Sequence, residues 1–270
     1  MSNTDKIFSG SIPEFYDTYL VPLIFEDFAE DMADRVSKFN PNTVLEVAAG
    51  SGVVTRALAP KLDERSLFTV SDLNPEMLNH AESKQLTDNR ISWQQADALN
   101  LHFSNATFDI VFCQFGVMFF PDRIAGYKEA KRVLKENGVF IFNVWDEISK
   151  NEFADTVTDA AARFFPDNPP QFLPRTPHGY YDIEEIENDV LEAGFSHVSI
   201  ETLEKDCIAS SANLPAIAYC HGTPLRNEIE ARNPEALDQV TKIAAAAITL
   251  RFGEAPIKSK IKGHVITAKV

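Results

Sequence analysis

The stretch that decides the fold is "TVLEVAAGSGVVTRALA", residues 43–59. "TVLEVA" is a short apolar strand, Gly50 and Gly52 follow among small residues, and a helix is expected over 53–62. A chain turns in this way when its backbone must come close to a ligand, because glycine adopts φ values that a Cβ penalises. The helix start beyond the loop presents N–H groups with no partner inside the helix. "LFTVSD" (67–72) is the next strand, and Asp72 ends it twenty residues after Gly52. A carboxylate there can accept both hydroxyl protons of a ribose. Strand, glycine loop, helix, strand and acid in that order describe a nucleoside site at the carboxyl edge of a sheet.

Outward from this stretch the alternation continues. Asn74-Pro75-Glu76 reads as N-cap, first-turn proline and first-turn acid of a helix reaching about Leu86. "RISWQQ" (90–95) is a third strand, and "FDIVFCQ" (108–114) a fourth, apolar throughout as in a strand buried on both faces. A helix over 122–136 ends at "KENG", with Gly138 at its boundary, and "VFIFNVW" (139–145) is a fifth strand. Strands alternating with helices imply a parallel sheet covered on both faces. Upstream, Phe25, Phe28, Met32, Val36 and Phe39 mark an amphipathic helix within 15–39, and "PEFYDTYLVP" forms a short helix bracketed by Pro13 and Pro22. Downstream, "FFPDNPPQFLPRTPHGYY" (164–181) lies in a region, 146–181, that resists helix and strand. A helix over 182–194, a strand "VSIETL" (198–203), an alanine-rich helix over 236–252 and a strand "GHVITAKV" (263–270) complete the chain. We expect one domain over 1–270: a helical cap (1–40), a cofactor-binding core (41–146), and a substrate-pocket region with the last two strands (147–270).

Composition narrows the function classes. The 270 residues are 44% hydrophobic and carry 25 Lys+Arg against 40 Asp+Glu, a net charge of −15. Such a surface repels phosphate backbones, so nucleic acid is not an expected partner. Cys113, Cys207 and Cys220 are far apart and show no zinc spacing, so no metal is expected. The opening "MSNTDKIFSG" is polar, with no signal-peptide pattern, and "IVFCQFGVMFF" (110–120) falls short of the ~20 residues a bilayer needs. The expectation is a cytoplasmic protein, monomer or homodimer, with no membrane partner and a small-molecule substrate.

The loop reads Gly50-Ser51-Gly52-Val53-Val54-Thr55, so the third glycine of the dinucleotide fingerprint is missing, as is a phosphate-gripping lysine. A ligand with a ribose and no pyrophosphate fits better. Asp97 in "QQADAL" follows the third strand, where a carboxylate can accept adenine amino protons; it can equally cap a turn. Leu73 and Met77 either sandwich adenine or belong to the core. As a rim carboxylate, Asp72 is expected to add little to ligand-free stability.

"VLEVAAGSG", "SDLNPEML", "QADALNLHFSNATFDIV" and "EAKRVLKENGVFIF" together resemble the successive motifs of class I S-adenosylmethionine-dependent methyltransferases, most of all the small-molecule group that includes ubiquinone/menaquinone C-methyltransferases (methyltransferase type 11). The resemblance covers roughly 40–145. It implies a Rossmann-like α/β fold with a seven-stranded sheet, order 3-2-1-4-5-7-6 and strand 7 antiparallel, the strands at 198–203 and 263–270 filling the last two places. It implies S-adenosyl-L-methionine as cofactor, with Glu46, Ala48, Gly50, Gly52, Asp72, Asp97 and Ala98 as contacts. Gln114, Phe115 and Gly116 would approach the methionine portion, mostly through backbone. Glu46 stands where Asp is common, and Ala48 replaces the first glycine, which is tolerable if that position avoids φ > 0. Tyr16 and Tyr19 in the cap either face the sulfonium or pack the helix.

Methyl transfer from a sulfonium needs alignment and a dry cavity, and no covalent nucleophile. A protonated acceptor would need a base, for which imidazole is suited. His178 in "TPHGYY" and His221 in "YCHGTP" are the candidates; both can also be structural, and Tyr180 and Tyr181 favour His178 through contact with an aromatic acceptor. The expected function is methyl transfer to a small apolar or aromatic acceptor. The alternatives are an NAD-dependent oxidoreductase and a noncatalytic adenosine-nucleoside binding module.

Overall fold

The computed structural model describes residues 12–270, so the polar opening stretch lies outside the described residues. In chain order, α1 (Ile12–Phe15) continues through a wider helical stretch, Tyr16–Phe25, into α2 (Glu26–Ser37). Then come β1 (Thr43–Glu46), α3 (Val53–Leu58), β2 (Leu67–Asp72), α4 (Pro75–Lys84), β3 (Ile91–Gln95), β4 (Phe108–Gln114), α5 (Arg123–Val133) and β5 (Leu134–Trp145). They are followed by α6 (Glu152–Phe164), α7 (Phe172–Arg175), α8 (Ile183–Glu192), β6 (His197–Ala209), α9 (Asn213–His221), α10 (Leu225–Arg232), α11 (Leu237–Phe252) and β7 (Ile257–Lys269). The strands form one sheet in the order β3-β2-β1-β4-β5-β7-β6, parallel from β1 to β5 and with β7 antiparallel, as the resemblance implied.

Contacts divide the chain into two compact units, with boundaries other than those expected at 40 and 146. The α/β unit comprises 26–144, 181–202 and 264–270. Its central strands β1 and β4 are buried on both faces, and α2 lays Phe28, Met32 and Val36 into the core. The apolar period of α2 stops there, since Phe39 is 45% exposed. Local caps set the helix starts: the Asn74 side chain accepts from the Glu76 and Met77 N–H groups, and Asp122 and Asp182 do the same for α5 and α8. "KENG" does not end a helix. β5 already begins at Leu134, and it advances from 134 to 139 while β4 advances from 108 to 110, a bulge in which Asn137 takes φ 66°.

The helical unit comprises 12–25, 145–180 and 203–263 among the described residues. Here α11 packs on α6 and α9. Helix α6 corrects the expectation of irregular structure over 146–181: Phe153, Val157, Ala160 and Ala161 recur at helical spacing and are buried. The prolines begin at Pro166, just after it ends. Pro22 does not separate two helices either. It sits inside the wider stretch Tyr16–Phe25, where a widened turn accommodates a ring that would clash in regular α-helix.

Candidate functional site

β1 delivers the chain to the glycine loop with Glu46 as its last residue, 1% exposed. Val47 N–H bonds the Phe112 carbonyl and Ala49 N–H the Ser71 carbonyl, so the loop is clamped to both neighbouring strands. Between these anchors Ala48, Gly50 and Gly52 all take left-handed backbone, with φ 55°, 57° and 76°. Ala48 thus has the positive φ that the sequence reading required it to avoid. An alanine there bears a backbone penalty of ~1–2 kcal/mol. The loop accommodates its methyl because residue 116 is glycine: a Cβ at Gly116 would stand 2.6 Å from both Ala48 Cβ and Cys113 Sγ.

Asp72 closes the loop from β2. Its Oδ2 accepts the Gly50 N–H at 2.8 Å and its Oδ1 the Asn74 N–H at 2.8 Å. The Leu73 N–H is a further donor to this carboxylate, which leaves acceptor capacity for a ribose hydroxyl, since a carboxylate offers about four acceptor positions. The carboxylate is 9% exposed, and burial raises its pKa against the pull of the backbone N–H groups. Through these bonds Asp72 ties the glycine loop to β2 and to the start of α4.

Behind the loop, Thr55 occupies the place of the missing third glycine. Its hydroxyl donates to Glu46 Oε2 at 2.5 Å, and the residue is fully buried. Burial drives the Glu46 pKa from 4.5 up to about 8, with Thr55 opposing and Asp72 adding to the rise. Glu46 is therefore a neutral acid at pH 7, and it braces the loop from within.

The other expected contacts divide. Met77 is buried, and a Cβ at Gly50 would meet its Cε at 3.7 Å; Leu73 is 48% exposed. Asp97 is exposed and accepts the Leu99 N–H at 2.9 Å, the arrangement of a turn cap, while Ala98 is buried. At the end of β4, Phe115 takes φ 48° and meets Phe28 edge-on at 5.1 Å. Its N–H donates to Asn143 Oδ1 at 2.7 Å, and Asn143 Nδ2 faces Gln114 Oε1 at 3.4 Å. Sequence reading passed over Asn143, whose signal was a polar residue inside "VFIFNVW". Two buried polar atoms here have no partner among the described residues, Gln114 Nε2 and Ser51 Oγ. Orphaned polar atoms beside a left-handed loop and a carboxylate with spare acceptor positions suit a nucleoside cofactor with a polar tail.

Tyr16, Tyr19, His178 and His221 all belong to the helical unit. Tyr16 packs on Phe25 at 5.1 Å, and Phe15 stacks on both Tyr19 and His221. His178 is 5% exposed, lies 6.2 Å from the Trp145 ring, and donates Nδ1–H to the Asp146 carbonyl at 2.9 Å. Burial lowers its pKa to about 4, so it does not titrate near neutrality as expected of a base. Its neighbour Tyr180 is 1% exposed and serves the core. His221 is half-buried. Its Nε2 lies 3.0 Å from the Thr241 hydroxyl, which also reaches the Leu237 carbonyl at 2.8 Å. Burial and Arg226 lower the His221 pKa.

Residues 44–138, inside the α/β unit, match the family described as a methyltransferase domain. Over this segment the chain is similar to methyltransferase domains. The chain is similar to a ubiquinone/menaquinone biosynthesis C-methyltransferase of Rickettsia felis, 36% identical over 131 residues, covering 45% of this chain and 53% of that protein. The chain thus spans about half the length of that relative. It is 29% identical over 180 residues to a demethylmenaquinone methyltransferase of Porphyromonas gingivalis, covering 62% of this chain and 74% of the other. Among solved structures, the YcgJ protein from Bacillus subtilis shares the fold with a TM-score of 0.57 at 19% identity, over 88% of this chain and 97% of that one.

Proposed function

We propose that the protein is an S-adenosyl-L-methionine-dependent methyltransferase acting on a small, apolar or aromatic acceptor. The observation that carries this reading is the Asp72–Gly50 lock, with Thr55 buried where a dinucleotide fold needs its third glycine. A threonine side chain stands where the dinucleotide fold needs a glycine for close packing of helix on strand, which disfavours NAD. When bound, the cofactor supplies a methyl group on a sulfonium, open to in-line displacement.

The chain's own residues bind, orient and exclude water. Asp72 would accept the ribose hydroxyls, the backbone of Ala48, Gly50 and Gly52 would lie along the nucleoside, and Met77 would flank the adenine. Phe28 and Phe115 keep water from the β4 end of the site, which favours dispersal of charge from sulfur. Glu46 we assign to bracing the loop. Asp97, Leu73 and Ala98 remain candidates for the adenine end, and Tyr16 and Tyr19 for the cap. For proton removal from a protonated acceptor we favour His221, whose burial is partial. His178 we assign to holding the Trp145–Asp146 corner. The names of the relatives support a quinone-type ring as acceptor and carbon as the methylated atom. We further propose a cytoplasmic monomer or homodimer.

Titration calorimetry tests the reading. Binding of S-adenosylhomocysteine with no heat from NAD is expected; tight NAD binding and no heat from S-adenosylhomocysteine would overturn it. Transfer from methyl-labelled cofactor to a panel of phenols and quinols then separates an enzyme from a nucleoside-binding module.

A further inference from the structure

Inside the helical unit one buried tyrosine has no bond for its hydroxyl. Tyr219 lies on α9 and is 4% exposed, and its side chain makes no hydrogen bond among the described residues. The fully enclosed side-chain polar atoms without a partner there are Ser51 Oγ, Gln85 Oε1, Gln114 Nε2 and Ser259 Oγ. The Tyr219 hydroxyl is not one of them, so it touches an opening while its ring stays enclosed. Burial and the nearby Cys207 hold its pKa well above that of an ordinary phenol, so the group keeps its proton and offers a donor.

A second hydroxyl without a bond belongs to the same unit. Cys207 of β6 is fully buried and donates its thiol hydrogen to the Leu23 carbonyl at 3.1 Å. On the outer face of the strands, Asp206 pairs with Lys258 and Lys260, and Glu204 with Lys260 and Lys262. These pairs run β6 and β7 antiparallel and make the buried residues Cys207 and Ser259 neighbours on the inner face. Tyr219 from α9 and Ser259 from β7 thus bring two unmade hydroxyl bonds toward Cys207. Helix α9 packs on the Tyr16–Phe25 stretch and on α11, whose buried residues are apolar. A polar group kept unpaired in such surroundings calls for a partner from outside the fold. A flat apolar molecule bearing an oxygen supplies one, its rings against the apolar side chains and its oxygen accepting the tyrosine proton.

We propose that the Tyr219 hydroxyl donates to an oxygen borne by the ring of the methyl acceptor, and so selects an oxygenated aromatic over the bare hydrocarbon. The assignment rests on the methyltransferase reading and names a specificity-determining residue within it. Every residue it uses lies in the helical unit. Equilibrium dialysis on the full chain, saturated with S-adenosylhomocysteine, compares 2-naphthol with naphthalene, the same rings with and without an oxygen. Tyr219→Phe keeps the ring and removes the donor. It is expected to lose about fivefold to tenfold in affinity for 2-naphthol, with naphthalene held within about twofold. Tyr219→Met removes the donor in a second way and serves if the phenylalanine variant does not fold; there the ratio of the two affinities should fall by the same factor. An unchanged ratio overturns the assignment while the methyltransferase reading stands. A parent protein that binds S-adenosylhomocysteine and neither aromatic overturns the assignment and the aromatic acceptor with it. A parent that binds no S-adenosylhomocysteine overturns the methyltransferase reading and the assignment together.

Discussion

Glu46→Gln tests the claim that the loop is braced by a neutral acid. In the folded chain Glu46 has a pKa of about 8 against an ordinary 4.5. A carboxyl whose pKa is raised by folding binds its proton more tightly when folded, so its contribution is complete at low pH and is lost as pH rises. At ~1.4 kcal/mol for each tenfold step in proton affinity, the full loss is ~5 kcal/mol. Of this, roughly half, ~2–3 kcal/mol, falls between pH 5.5 and 7.5, and the curve flattens above pH 8. Glutamine keeps an oxygen for the Thr55 hydroxyl and does not titrate, so the difference between variant and parent isolates this one group. Urea denaturation of both proteins from pH 5 to 9 should show glutamine gaining on the parent by ~2–3 kcal/mol between pH 5.5 and 7.5. A difference independent of pH would mean that Glu46 is ionised in the folded protein and that the loop is held otherwise.

Three further outcomes follow from the same geometry. Asp72→Ala should weaken S-adenosylhomocysteine binding by ~1.5–3 kcal/mol and, having lost the Gly50 and Asn74 bonds, lower ligand-free stability by ~1–2 kcal/mol in thermal melts; unchanged melting would show that the loop needs no lock. Gly116→Ala should destabilise by ~1–3 kcal/mol through overlap with Ala48 and Cys113, and adding Ala48→Gly should restore part of it; purely additive effects would sink the contact. The lowered pKa of His178 means that the folded chain resists protonation, so stability falls as pH drops from 6.5 toward 4. His178→Gln should remove ~2 kcal/mol of that loss between pH 7 and 5, whereas an unaltered acid profile would place the ring in solvent.

What the sequence determined by itself is the order of parts around the loop. The two-residue and 3.6-residue periods, the Asn74 cap and the glycines are local signals, and they placed β2 and β4 to the residue and β1 to within two residues at its end. The same local logic identified Asp72 at the end of β2. It failed where local signals were offset by packing: at α6, overshadowed by the prolines behind it, at the β5 bulge, and at Pro22. The tertiary structure alone decided which side chains meet across strands. Glu46 is a neutral brace because the buried core surrounds it, and the Ala48 methyl has room because a residue far along the chain, Gly116, has no Cβ. Gln114 acquires a direction only because Asn143 lies beside it in the sheet. Burial, hydrogen-bond polarity and Cβ clearance depend on partners distant in sequence, and these are fixed only when the strands are brought together.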